Sequence, residues 1–328
     1  MKKNITNCLY NVEVPYLFEN KKIFQLLSKY KVNYLVQPGM FVQNFILNIK
    51  FIDYLKYKFR QIRKGKFFHF KKIIVRKFFV YFKSDFWGIK KARYAYLIGK
   101  YAYINKKKHK LIGDKTGVIW VHSRNYDEHL RTKVSKIKTK RKKALFIDQG
   151  VPFHPDQIEI GLSNIEPKEY YNSIRNFLEK INKNFGYKIE VSCHPKFELK
   201  KLKNFFPKFT VKFGDTINQI RNSNLIITHD STAMNFAVMY KKPLIFITTN
   251  TLNNSGFPFY ETINTKAKLL NKKCINIDND SIVDIKNNLK INEKSYSKYF
   301  TNYIKLKGPK KLQADIIYER LKGDKVWV

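Results

Sequence analysis

The stretch Asn224-Leu225-Ile226-Ile227-Thr228-His229-Asp230-Ser231-Thr232-Ala233-Met234-Asn235-Phe236-Ala237, followed by Lys242-Pro243-Leu244-Ile245-Phe246-Ile247, decides the reading of this chain. β-favouring residues run into a polar cluster, a helical stretch follows, and a second apolar run begins after a Lys-Pro break. The order is strand, loop, helix, strand. In an open parallel sheet, ligands sit outside the carboxyl ends of the strands, so this pattern places His229, Asp230, Ser231 and Thr232 at a ligand crevice. Ser231 and Thr232 also open the expected helix over 232–240, whose free N–H groups and positive dipole end suit a phosphate. The plainer alternative is that Asp230 or Ser231 caps that helix and does nothing more.

The same alternation extends outward. Strands are expected over 144–147, 187–192, 209–213, 225–228, 243–247 and 274–277. Between and after them lie helices over 167–184, 199–205, 216–222, 232–240 and 281–289, with a last helix over 309–321, where Pro309 suits a first turn. Repeated alternation means a parallel sheet covered on both faces. Upstream, 21–30 reads as a helix, 33–37 as a strand closed by Pro38-Gly39, and 118–123 as another strand; from 40 to 64 apolar residues recur at helical spacing. Residues 131–143 form a lysine-rich connector. The expected division is an N-terminal α/β domain over 1–130, a linker over 131–143 and a C-terminal domain over 144–328, with its last helix returning to the N-terminal domain.

At 328 residues with 44% hydrophobic content, the chain can build two ordinary cores. Three cysteines, Cys8, Cys193 and Cys274, lie far apart without a CxxC pair, which suggests neither a disulfide framework nor a zinc site and points to a reducing cytoplasm. The N-terminus lacks the apolar core of a signal peptide, and no apolar run approaches the roughly 20 residues that span a bilayer. The net charge of +40 directs attention to anionic partners, although an AT-rich codon bias towards Lys, Asn, Ile, Phe and Tyr accounts for part of it.

Clustering says more than the total. Residues 55–110 carry nineteen Lys or Arg against one acid, Asp85, interleaved with Phe67, Phe68, Phe70, Phe78, Phe79, Phe82, Phe86 and Trp87. The basic aromatic region over 54–110 therefore has three readings: an anionic bilayer surface, a stacking platform for single-stranded nucleic acid, or a helical subdomain with aromatic core and solvated lysines. No RNA-binding signature supports the second.

Three strand ends in the second half carry chemistry-bearing residues: Asp148-Gln149, then His194-Pro195-Lys196, then His229-Asp230-Ser231-Thr232. Pro195 cannot donate a ladder hydrogen bond and so ends its strand where His194 emerges. A lone His at a strand end is commonly structural; here Lys196 and a candidate phosphate site stand beside it. Asp148 precedes the flexible Gly150 and is the preferred catalytic carboxylate, with Asp156, Glu128 and Asp230 as rivals. Asp278-Asn279-Asp280 reads as a solvated turn, and no metal site is expected.

Cys193-His194-Pro195-Lys196, Phe213-Gly214-Asp215-Thr216, Ser223 to Thr232 and Lys242-Pro243-Leu244 together resemble the C-terminal half of GT-B glycosyltransferases of bacterial surface polysaccharides. The pattern is most similar to bacterial sialyltransferases and to capsule or lipopolysaccharide Kdo transferases, which share a His-Pro and a later Ser-Ser/Thr motif. The resemblance covers roughly 144–250. It implies two Rossmann-like domains facing across a cleft and a CMP-activated sugar donor of sialic acid or Kdo type, with no cofactor. It further implies that His194 contacts or protonates the leaving phosphate while Ser231 and Thr232 hold it, among nucleotide-binding residues Pro195, Lys196, His229, Asp230 and Asn235. Asn235 stands where many nucleotide-diphosphate enzymes of this fold carry a ribose-holding glutamate, and Asp148-Gln149-Gly150 half reproduces the acidic-Gly motif that carries the base.

The expected function is a glycosyltransferase acting on a glycan or lipid-linked acceptor from the cytoplasmic face of the membrane, as a peripheral protein on anionic lipid. The alternatives are a nucleotide-sugar 2-epimerase or teichoic-acid glycerophosphotransferase of related fold, and a non-catalytic basic binder of nucleic acid or anionic glycan.

Overall fold

The structure is a computed structural model that describes residues 9–37, 75–76, 78–105, 109–132, 142–154, 165–255, 257–279, 282–306 and 308–323. The expected helix over 40–64 and most of the lysine connector, 133–141, lie outside the described residues. The chain divides into two compact α/β units: described residues up to 132 together with those from 300 onward form one, and 142–299 form the other.

In the first unit, β1 (Leu9–Val12), β2 (Asn33–Val36), β3 (Tyr94–Ile98) and β4 (Gly117–Val121) form an all-parallel sheet in that order. Alternate residues feed opposite faces, as the two-residue period of a strand requires. Tyr34, Val36, Ala95 and Leu97 pack with Phe24 and Phe79 on one face, whereas Leu35, Tyr94, Tyr96, Ile119 and Val121 pack with Leu321 on the other. Phe24 belongs to α1 (Lys21–Lys29), and Leu321 to the C-terminal helix Gln313–Gly323. Strand β3 corrects the reading of 54–110 as a helical region: Tyr94 to Leu97 are buried at the sheet centre.

The C-terminal helix also starts later than its proline suggests. Pro309 lies outside it, and the first helical N–H, that of Gln313, donates to Asp127 Oδ1 at 2.9 Å. A cap supplied from far along the chain leaves no local signal at 309–313.

In the second unit, β5 (Lys143–Ile147), β6 (Lys188–Cys193), β7 (Thr210–Phe213), β8 (Leu225–Thr228), β9 (Leu244–Thr248) and β10 (Cys274–Asn276) form an all-parallel sheet of order β10-β9-β8-β5-β6-β7. Ala144 to Phe146, Leu225 to Ile227 and Leu244 to Ile247 are wholly buried, the continuous apolar runs that a sheet covered on both faces demands. The chain winds from β5 through β6 to β7, then crosses back to place β8 on the other side of β5. The β5/β8 boundary is thus the topological switch point, outside whose carboxyl ends an α/β sheet opens a crevice. Among the described residues no helix is long and apolar enough to cross a membrane.

Candidate active site

The switch point is built largely by one helix, α2 (Pro167–Phe185). Pro167 occupies its first turn, Glu166 caps it by accepting the Lys168 N–H, and Gly186 ends it at φ +69°. Tyr170, Ile174, Phe177, Leu178 and Ile181 recur at helical spacing and are buried, which seats Tyr170 and its neighbour Tyr171 against two strand ends.

Asp148, at the carboxyl end of β5, is 1% exposed. Its N–H donates to Ser192 O at 3.0 Å, its Oδ2 accepts the Tyr171 hydroxyl at 3.3 Å, and its Oδ1 has no hydrogen-bond partner among the described residues. Burial disfavours the carboxylate and lifts its pKa to about 7, against the smaller opposing pull of the Gly150 N–H, Tyr171 and the Gln149 N–H. A carboxyl that titrates near neutrality can both take and give a proton there.

His194 emerges from β6, the strand beside β5. Its Nδ1 accepts the Lys196 N–H at 3.2 Å, so the neutral ring carries its proton on Nε2. Phe197 N donates to His194 O at 2.9 Å, closing the turn in which Pro195 and Lys196 are exposed. The loop after β5 packs on this turn: the rings of His154 and His194 lie 5.0 Å apart, and Phe153 stacks on Phe197 at 4.9 Å. Gly150, at φ +57°, makes the bend that returns the loop towards Phe197.

On the other side of the switch point, Gln149 and Asp230 join the ends of β5 and β8. Gln149 Nε2 donates to Asp230 Oδ1 and Asp230 N donates to Gln149 Oε1, both at 3.0 Å. Lys266, on the helix Phe259–Leu269, donates to Asp230 Oδ2 at 2.8 Å and to Asp230 O at 3.0 Å. Burial alone would raise the Asp230 pKa; the Lys266 ammonium outweighs it and holds the carboxyl below its usual range.

His229 does not face a crevice. It is 2% exposed, its Nδ1 lies 2.7 Å from Ile247 O and its Nε2 lies 2.7 Å from Tyr170 Oη. A carbonyl only accepts, so Nδ1 carries the proton and Nε2 accepts the tyrosine hydroxyl; burial lowers the ring's pKa and keeps it neutral. The ring ties β8 to β9 and α2, which corrects its assignment to the nucleotide. Asn235 is likewise buried, with its Oδ1 accepting the Tyr299 hydroxyl at 2.9 Å.

Ser231 and Thr232 precede the helix rather than open it. Ser231 Oγ accepts the Ala233 N–H at 3.2 Å, bonds from Met234 N to Ser231 O and from Asn235 N to Thr232 O form a tight turn, and α-helix begins at Met234. The structure therefore draws Asp148, Gln149 and Asp230 into one connected group, with His194 on the next strand end and His154 packed on it from the loop after β5. Tyr170, Tyr171, His154 and Lys266 escape a reading of the sequence alone; the two tyrosines lie on the apolar face of a legible helix, and Lys266 carries no local signal. No group of three or more His, Cys, Asp or Glu that could hold a metal ion occurs among the described residues.

No protein-family model matches the chain, and no curated protein matches it. Among solved structures, S. aureus MnaA in co-structure with UDP is similar over 97% of this chain and 76% of its own, with a TM-score of 0.50 and 12% identity. The UDP-GlcNAc 2-epimerase of Methanocaldococcus jannaschii, in complex with UDP-GlcNAc and UDP, is similar over 96% of this chain and 75% of its own, with a TM-score of 0.43 and 14% identity. The beta Kdo 2,4 transferase KpsC of Thermosulfurimonas dismutans aligns with 39% of this chain and 46% of its own, with a TM-score of 0.23 and 14% identity. With sheets of four and six parallel strands, the chain has a GT-B-type architecture of two Rossmann-like α/β domains.

Proposed function

We propose that this chain is an enzyme acting on a nucleotide-sugar, and specifically a glycosyltransferase that moves the sugar to a glycan or lipid-linked acceptor. One observation carries the reading: at the switch point of the second sheet a buried carboxyl, Asp148, with one oxygen unpaired among the described residues, ends the strand beside the one that presents His194, and its burial pushes its pKa up to about 7. In the transfer, the bond between the sugar's anomeric carbon and the donor phosphate oxygen breaks as the acceptor oxygen bonds to that carbon. Asp148 takes the acceptor hydroxyl proton, and His194, whose Nδ1 accepts the Lys196 N–H, donates a hydrogen bond from Nε2–H to the departing phosphate, whose growing charge a positioned donor stabilises. Ser231, Thr232 and Lys196 supply further donors for the nucleotide. UDP in the MnaA co-structure supports a nucleotide as ligand; the His-Pro and Ser-Thr motifs favour a CMP-activated sugar of sialic acid or Kdo type.

A second reading rests on the same carboxyl. A base poised near neutrality also suits removal of a proton from a sugar carbon, the chemistry of a nucleotide-sugar 2-epimerase. Incubating the protein with CMP- and UDP-sugars, with and without glycan acceptors, separates the two. Transfer releases nucleotide only when an acceptor is present; epimerisation isomerises or frees the sugar without one.

A further inference from the structure

The first unit presents a surface that the catalytic reading does not use. Residues 78–81 are helical, and Phe79 points into the core at 0% exposure. Helical spacing turns Phe78 and Tyr81 outward, half-buried Phe82 follows the helical turn, and a 3₁₀ turn over Ser84–Trp87 brings Phe86 and Trp87 beside them. The rings pack on one another: Phe78 on Phe82 at 4.8 Å, Phe82 on Phe86 at 4.5 Å, Phe86 on Trp87 at 4.9 Å. Their outer faces stay open, with Phe78 55%, Tyr81 79% and Phe86 64% exposed. A cluster of large apolar rings left in water marks an interaction surface.

Its surroundings are cationic. Lys21 Nζ sits 4.1 Å from the Trp87 ring centroid. A cavity of about 620 Å³ opens where β2, β3 and β4 begin, lined by Lys31, Lys90, Lys91, Arg93 and Lys115 against one acid, Asp114. Lys91 links the two features: its Nζ bonds Ser84 Oγ at 2.7 Å and Lys110 O at 2.9 Å, and lies 3.7 Å from Asp85. Lys110 in turn donates to Tyr81 O at 3.2 Å. Lys31, Lys90, Arg93 and Lys115 have no ion-pair partner among the described residues, so their field reaches whatever enters the cavity.

We infer that this face docks on an anionic bilayer, with the Phe78, Tyr81 and Phe86 rings seated in the headgroup interface and the basic cavity taking lipid phosphates. Amphipathic aromatic rings gain from the acyl boundary, and each basic residue near an anionic surface adds to binding. The inference stands apart from the catalytic reading, because its assay uses no turnover.

The test is co-sedimentation with vesicles of pure phosphatidylcholine and of phosphatidylcholine with 30% phosphatidylserine, at low and high salt. Wild-type protein should bind the anionic vesicles and release as salt rises. Phe78→Ser with Phe86→Ser should weaken partitioning about tenfold or more, and Lys90→Gln with Arg93→Gln about fivefold per charge. Both pairs alter exposed positions and should melt like the wild type; should the aromatic pair fail to fold, the basic pair alone decides. Equal binding to both vesicle types, no binding, or full binding by the folded variants would overturn the inference. So would retention on single-stranded RNA that the same substitutions abolish while vesicles go unbound.

Discussion

Replacing Asp148 by Asn should stabilise the protein at alkaline pH while removing its chemistry. In the fold this carboxyl titrates at about 7, because burial penalises its charge, against 3.8 for an ordinary aspartate. Below pH 4 both folded and unfolded chains hold the proton and no penalty arises. As pH rises from 4 towards 7 the unfolded chain releases its proton while the folded one keeps it, so stability is lost across that window and levels off above 7. At 1.36 kcal/mol for each tenfold of proton concentration, the full loss is about 4 kcal/mol. An asparagine keeps the shape of the neutral acid and the contact with Tyr171 but cannot ionise. The variant should exceed the wild type by only about 1 kcal/mol at pH 4.5 and by the full loss at pH 8, raising the melting temperature of the second unit by roughly 10 °C there. Calorimetry at the two pH values measures this, and turnover of the variant should fall by about 10²–10⁴. A melting difference that is the same at both pH values would refute the desolvated carboxyl.

Other substitutions probe the neighbouring groups. His194→Ala should lower turnover by about 10²–10⁴ with a smaller effect on donor affinity, as steady-state kinetics would report; near-normal transfer by a variant that melts like the wild type would make this histidine structural. Lys266→Met strips Asp230 of its ammonium and should cost about 1–2 kcal/mol in urea unfolding, the penalty for a half-buried carboxylate left with Gln149 alone; a loss below about 0.5 kcal/mol would contradict the tie across the switch point. Ser231→Ala should cost about 1 kcal/mol of stability through its lost turn bond and about 1–3 kcal/mol of nucleotide affinity. Calorimetric titration that finds the affinity unchanged would leave the hydroxyl a cap alone.

Much of the second unit can be read from its sequence because a parallel sheet covered on both faces writes itself as apolar runs. Leu225–Thr228 falls where the run ends, and α2 begins at its proline and stops one residue before its glycine. Boundaries set by tertiary contacts cannot be read in this way. The C-terminal helix begins where Asp127 caps it, and α-helix after β8 waits for Met234 because Ser231 and Thr232 spend their backbone groups on a tight turn. Strand β3 hides inside a lysine-rich region because its flanks, not its own residues, carry the charge. At the site, Asp148 and His194 are visible as polar residues closing strands. The role of His229 is not, since only the fold reveals that Tyr170 and Ile247 occupy both its nitrogens. Lys266 is one lysine among many until the structure sets its Nζ against Asp230.

The central claim is that the β5 and β6 strand ends act on a nucleotide-sugar. Its most direct test is to follow nucleotide release and sugar products by NMR when CMP- and UDP-sugars are offered to the wild type and to the Asp148→Asn, His194→Ala double variant. The account predicts that at least one nucleotide-sugar is turned over by the wild type and that the double variant, though folded, loses this by about 10² or more. Turnover that survives in the folded double variant, or a wild type that neither binds nor consumes any of these donors, would contradict it.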